Sequence, residues 1–234
     1  MPVQNRPRRT FAIGLLLLCA AAAHAVFAWH HRDLRPDLVV LETPPTAVQR
    51  TLFAFGDTQF LYRYWSSYLQ NAGDTGGRAT RMRNYDYDDV IGWLKTLQAL
   101  DSKAQQHTFL AAHYFSQTPR MDDLRKVLAF IADDVAKHPA RKWYWLTYAM
   151  PAAAKTLDDI GYALELSRQL ASYDFPHMTG WNYLFPAIYL ERMGRFDEAR
   201  AEIAGVLETR RSKLDSGQLM WIEEFTRGLA APRQ

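Results

Sequence analysis

Tyr87-Asp88-Asp89-Val90, Met121-Asp122-Asp123-Leu124, Leu157-Asp158-Asp159-Ile160 and Phe196-Asp197-Glu198-Ala199 are four versions of one phrase: an apolar residue, two acids and the start of an amphipathic run. Their first acids lie 34, 36 and 39 residues apart, a spacing at which one helix-turn-helix unit stacks on the next. After each pair the apolar residues keep helical spacing: Val90, Leu94 and Leu97; Leu124, Leu128, Ile131 and Val135; Ile160, Leu164 and Leu170; Ala199, Ile203 and Leu207. The acids therefore fall in the first turn of a helix. There a carboxylate meets the positive end of the helix dipole and can cap backbone N–H groups that have no partner within the helix. Four copies of one acid pair at four helix starts suit that role better than acid-base catalysis, which needs two carboxyls in different environments.

Each of these helices is preceded by an aromatic-rich partner, expected over residues 57–72, 102–118, 141–156 and 179–193. Phe60, Leu61, Tyr64, Trp65 and Tyr68 fall on i, i+4 rows, as do Trp145 and Ala149, and Trp181, Phe185 and Tyr189. Stacked helix pairs bury such residues between neighbours, so most are expected in the core. Breakers separate the elements: Pro119, Pro139, Pro176 and Gly194. Asp215-Ser216 can cap a last helix carrying Leu219, Ile222, Phe225 and Leu229, which would close the stack.

Gly194-Arg195-Phe196-Asp197-Glu198-Ala199, followed by Ile203, Val206 and Leu207, resembles the second-helix signature of tetratricopeptide (TPR) repeats: a glycine turn, an aromatic, two acids and a small residue where two helices cross. Carried back, the register puts Tyr183 at the family's aromatic position, with Pro186 and Ala187 replacing its usual leucine and glycine. Tyr144 takes the aromatic position in the third unit, and Thr108 and Ala112 stand at the corresponding places in the second. The resemblance covers about residues 57–209. It implies an all-α, right-handed superhelical stack of about four helix-turn-helix units over residues 47–211, with a capping helix and tail at 212–234. It also implies a concave face, lined by the first helices, that binds a protein or peptide. Position by position that face would include Gln106, Phe109, His113, Lys142, Trp145, Ala149, Trp181, Phe185 and Ile188, with core packing as the competing role for the apolar ones.

The N-terminus has a different character. After Arg6, Arg8 and Arg9, residues 11–29 carry no formal charge; at about 1.5 Å per residue they reach roughly 28 Å, close to the thickness of a bilayer core. A transmembrane anchor over 11–29 would leave residues 1–10 in the cytoplasm, because arginines favour that side, and display the rest outside it. The alternative is a cleaved signal peptide ending at Ala23-His24-Ala25; the apolar character continuing through Val26, Phe27 and Trp29 favours the anchor. Leu18 before Cys19 lacks the small side chain of a lipoprotein acceptor. Residues 30–46, ending in Pro44-Pro45-Thr46, read as a juxtamembrane linker.

Of 28 basic and 25 acidic residues, Arg6, Arg8, Arg9, Arg32 and Arg35 sit at the N-terminus beside Asp33 alone, so the body is close to neutral and lacks the positive field of a nucleic-acid binder. Cys19 is the sole cysteine, so the body holds neither a disulfide nor a thiolate metal site. His107 and His113 are six apart, off a common helix face, and no His-Glu-x-x-His occurs; no metal or cofactor is expected. The loop Asn71-Ala72-Gly73-Asp74-Thr75-Gly76-Gly77-Arg78, with Arg81 and Arg83, is either a connector or a contact for lipid headgroups or an acidic partner. The resulting expectation is a non-enzymatic scaffold in the bacterial inner membrane with its repeats in the periplasm, looking like membrane-anchored repeat proteins that assist assembly. A soluble periplasmic enzyme or small-molecule binder with a cleaved signal is the alternative.

Overall fold

The computed structural model describes residues 6–31, 40–75 and 78–230, which divide into two compact units, 1–39 and 40–234. In the first unit, α1 (Arg6–His31) is one continuous helix whose described side chains are all exposed. Its stretch Phe11–His30 is long and apolar enough to cross a membrane.

The second unit is helical. It comprises α2 (Ala47–Ala54), α3 (Thr58–Asn71), α4 (Tyr87–Leu100), α5 (Gln106–Phe109), α6 (Met121–Lys137), α7 (Pro139–Lys142), α8 (Trp145–Pro151), α9 (Ile160–Ala171), α10 (Trp181–Arg192), α11 (Phe196–Arg210) and α12 (Ser216–Ala230). A π turn, Leu110–Tyr114, and a 3-10 turn, Phe115–Gln117, prolong α5; a second π turn, Ala152–Thr156, prolongs α8. The only strand pairing among the described residues is a two-residue antiparallel ladder, Asp74 opposite Ala79 and Thr75 opposite Arg78. It closes the long turn between α3 and α4.

Packing follows chain order: α3 lies against α4, α4 against α6, α6 against α8, α8 against α9, α9 against α10, α10 against α11 and α11 against α12. The apolar stripes supply the core. Val90, Leu94, Leu97, Leu124, Leu128, Ile131, Val135, Leu164, Leu170, Ala199 and Ile203 are buried, and each fully buried leucine or isoleucine contributes about 1.5–3 kcal/mol. Polar side chains tie neighbours together one period apart. Gln98 Nε2 donates to Asp134 (2.8 Å), Gln105 Nε2 to the Arg141 carbonyl (2.7 Å), and Arg168 Nη2 to Glu202 (3.2 Å). Gly194, at φ +75°, makes the turn from α10 to α11 in a conformation that favours glycine.

The acid pairs are less uniform than their sequence. α4, α6 and α11 begin at the residue before the pair, placing Asp88–Asp89, Asp122–Asp123 and Asp197–Glu198 in the first turn, favourable for the helix dipole. The capping bond itself comes from elsewhere. Asp86 caps α4, and Arg120 and Arg195 stand at the cap positions of α6 and α11, where their guanidiniums pair with Asp123 and Glu198. In the third pair Asp159 is the cap, accepting from Tyr162 N at 2.8 Å, and Asp158 precedes it at φ +53°. A direct capping bond is thus made by one pair of the four. The chain enters the other three helices two residues too early for the first acid to stand at the cap.

Two further expectations change. Val40 to Thr46, read as part of a spacer, belongs to the second unit: Leu41 is buried, and Trp93 Nε1 donates to the Glu42 carbonyl at 2.6 Å. Pro44 lies over Gly92, where a Cβ would come within 2.4 Å of its ring. Residues 32–39 of that linker lie outside the described residues. Phe60 and Tyr64, expected in the core, are 61% exposed, because α3 is an end helix and short α2 covers only its Trp65 side.

Candidate functional site

The first helices of the second and third units bring four rings together. The Phe109 ring lies 5.0 Å from His113 and 6.3 Å from Trp145, and His113 lies 5.6 Å from Trp145 and 4.8 Å from Tyr148. Trp145 is the floor of the cluster. It is almost fully buried, and its Nε1 donates to Gln105 Oε1 at 2.8 Å, an oxygen that also accepts from Tyr144 (3.1 Å). Phe109 and Tyr148 form the surface, 43% and 49% exposed, with His113 half-buried between them. Both helices leave α geometry here. The π turn from Leu110 carries His113, and the turn beginning at Ala152 follows Pro151, which has no N–H to continue the α ladder. Of the four rings only His113 lies within a π turn; Phe109, Trp145 and Tyr148 are carried by the α-helical turns that precede these irregular segments.

Other residues predicted for this face lie elsewhere. Lys142 is completely buried: it ends the short α7, the turn at Trp143 and Tyr144 separates it from α8, and its stem points inward to Asp134. Ala149 is core. Gln106 is half-buried and donates to Gln70 Oε1 at 3.0 Å. Trp181 meets Trp221 of α12 edge to face at 5.2 Å, and Trp221 stacks on Phe225 at 4.6 Å, so Trp181 belongs to a separate aromatic group shared with the last helix. Phe185 and Ile188 are half-buried, and Phe185 packs on the core. The predicted residues that meet are therefore Phe109, His113 and Trp145, and Tyr148 joins them.

Behind this face lies a polar network that the sequence reading missed. Asp134 accepts from Gln98 Nε2 (2.8 Å) and His107 Nε2 (3.1 Å) at one oxygen, and from Thr108 Oγ1 (2.5 Å) and Lys142 Nζ (2.7 Å) at the other. Tyr62 OH lies 3.2 Å from His107 Nδ1 and Lys142 Nζ 3.0 Å from Nε2. With Nε2 protonated, the ring donates to Asp134 and accepts from Tyr62; with Nε2 unprotonated, it accepts from Lys142 and sets a lone pair against the carboxylate oxygen. Burial would raise the Asp134 pKa, but hydrogen bonds from His107, Lys142 and Thr108 outweigh it and hold the carboxyl well below the usual range. Burial pushes the pKa values of both His107 and Lys142 down, against the pull of Asp134. An Asp-His-Tyr chain could relay a proton, yet His107, Thr108, Asp134 and Lys142 have no exposed surface through which a substrate could reach them. Their arrangement neutralises a buried charge. The sequence did hold a signal: Asp134 falls on the Leu124, Val127, Leu128, Ile131, Val135 stripe, where an acid must be paired.

The basic loop does not gather into an anion site among the described residues. Arg81 and Arg83 are exposed around a 3-10 turn, Arg78 is described only through its backbone pairing with Thr75, and Gly76 and Gly77 lie outside the described residues. Nor, among the described residues, do three His, Cys, Asp or Glu side chains group to hold a metal. Comparison of the chain with protein-family models, curated proteins and solved structures gives no significant match.

Proposed function

We propose that this chain is a membrane-anchored, TPR-like adaptor of the bacterial envelope, which holds a segment of a partner protein on the Phe109–His113–Trp145–Tyr148 face. In this reading α1 spans the inner membrane, and the stacked helix pairs stand in the periplasm as a right-handed superhelix. The recurrence of polar ties one period apart supports the stack. Arginines before the apolar run support the orientation.

The observation that carries the proposal is the aromatic face itself: partly exposed rings held on a buried tryptophan that is fixed by its own hydrogen bond. Aromatic anchors on rigid backing are the residue type that dominates protein interfaces, since they bring large area at little entropic cost. Covering the exposed remainder of Phe109 and Tyr148, roughly 90 Å² each, would contribute ~2 kcal/mol per ring, or a ~30-fold change in affinity. A photo-crosslinking amino acid at Tyr148 in living cells should give a discrete adduct, and Phe109→Ala should weaken it by at least ~10-fold at unchanged helicity. An adduct yield indifferent to Phe109→Ala would remove this face from consideration.

A further inference from the structure

A second apolar surface lies at the start of the helical body. A groove of about 590 Å³ opens between α2 and α3, lined by Phe53, Phe55, Phe60, Tyr64, Trp65 and Tyr68, with Glu42 as its single charged lining residue. On α2, Val48 and Leu52 each precede a lining residue, Gln49 and Phe53, by one position and stand outside the groove's lining, 69% and 66% exposed. Phe55 is 91% exposed, on a left-handed backbone (φ 46°) that a phenylalanine rarely adopts. Folding of the body therefore leaves this ring outside. A cluster of exposed apolar side chains of this size marks a contact with a membrane or another protein.

The chain path selects the occupant. Val40 to Pro45 is the strap by which the chain joins the body, and Glu42, Thr43 and Pro45 form the groove's rim. Between that strap and the end of α1 lie residues 32–39, eight residues that reach ~27 Å at full extension. If α1 spans a bilayer, the groove enters the body where the tether does and meets the lipid surface at high effective concentration. The chemistry fits that surface: a short helix with exposed apolar side chains, aromatic rings, and a groove whose one charged lining residue is Glu42, with Asp57 at the α3 cap as the exposed charge between Phe55 and Phe60.

We infer that the Val48–Leu52–Phe55–Phe60–Tyr64 surface inserts into the headgroup–acyl boundary of the membrane that α1 crosses, so that the body is held against the bilayer by a second contact. This rests on the reading of α1 as an anchor, and the test separates the two. Full-length protein carrying Cys19→Ser is spin-labelled at one of three positions, Phe55→Cys, Leu17→Cys or Glu208→Cys, and reconstituted into phosphatidylethanolamine–phosphatidylglycerol vesicles. Collisions of each label with oxygen and with a water-soluble nickel chelate are then compared. The expected result is loss of nickel collisions at positions 17 and 55, with position 208, exposed on α11, staying aqueous. Label 55 open to nickel while label 17 is in lipid overturns the inference and leaves the anchor standing; label 17 open to nickel overturns both. Label 55 shielded from both reagents, or broadened by a label on a second copy, assigns the groove to a polypeptide and also overturns it. All three positions are exposed, so none of the labels displaces a core side chain.

Discussion

Replacing Lys142 by methionine keeps the length of the side chain and removes its charge, leaving Asp134 fully buried without the cation 2.7 Å away. Gln98, His107 and Thr108 would still donate to the carboxylate, but no formal positive charge would remain beside it. Breaking one partner of a buried pair costs about 3–5 kcal/mol, a large share of the ~5–15 kcal/mol by which domains are stable. Asp134→Asn should cost a similar amount, since it strands a buried ammonium. The double variant removes both charges, so it should be less destabilised than the two single losses together by ~2–3 kcal/mol. The measurement is reversible urea unfolding of the full chain in mild detergent at pH 7, followed by far-UV circular dichroism and tryptophan fluorescence. A loss below ~1 kcal/mol for Lys142→Met, with additive single effects, would refute the assignment of a desolvated pair.

The same network sets an acid limit. His107 has a lowered pKa in the folded state, so below the unfolded value of ~6.5 the unfolded chain binds more protons and stability falls with pH, by at most ~1.4 kcal/mol per pH unit for one group. Asp134 adds to the loss as pH falls below the unfolded carboxyl value of ~4; His107→Gln should flatten the curve between pH 6.5 and 5 in urea titrations. Asp159→Ala removes a cap bond and should cost ~0.5–2 kcal/mol, whereas Asp122→Ala, within the first turn, should cost about half a kilocalorie or less, read as differences in urea midpoint. Gly92→Ala drives a Cβ into the Pro44 ring and should cost ~1–3 kcal/mol. It should also make the chain between Val40 and Thr46 the first site cut in limited proteolysis, and an unchanged cleavage pattern would show that the strap is not held there.

The helix pairs were legible because their stripes keep one period and their turns carry Pro and Gly, so local chemistry and packing agree. Leu94, Leu128 and Ile203 are buried as their spacing requires. The site was harder to read, since a side chain's direction depends on irregular backbone that no periodicity announces. Lys142 has the sequence appearance of a surface charge, and only the break between α7 and α8 turns it inward. Tyr148 stands three residues after Trp145, and the local helix geometry brings both against His113. Phe60 and Tyr64 have the spacing of core residues but lie on an end helix with a neighbour missing. Burial there depends on what covers the end, and that is a tertiary fact.

Side-chain contacts in the Asp134 cluster extend from Tyr62 on α3 and Gln98 on α4, through His107 on α5, to Lys142 on α7. Arrays of stacked units ordinarily melt piecemeal, each segment answering only to its neighbours. Here one carboxylate on α6 is satisfied only while α4, α5 and α7 are in place, with α3 tied in through Tyr62 on His107, so the amino-terminal two-thirds should open in one cooperative event. Hydrogen exchange would then divide the body into a slow block before α9 and a faster, fraying end at α11 and α12, which lets the carboxyl-terminal helices breathe without loosening the aromatic surface.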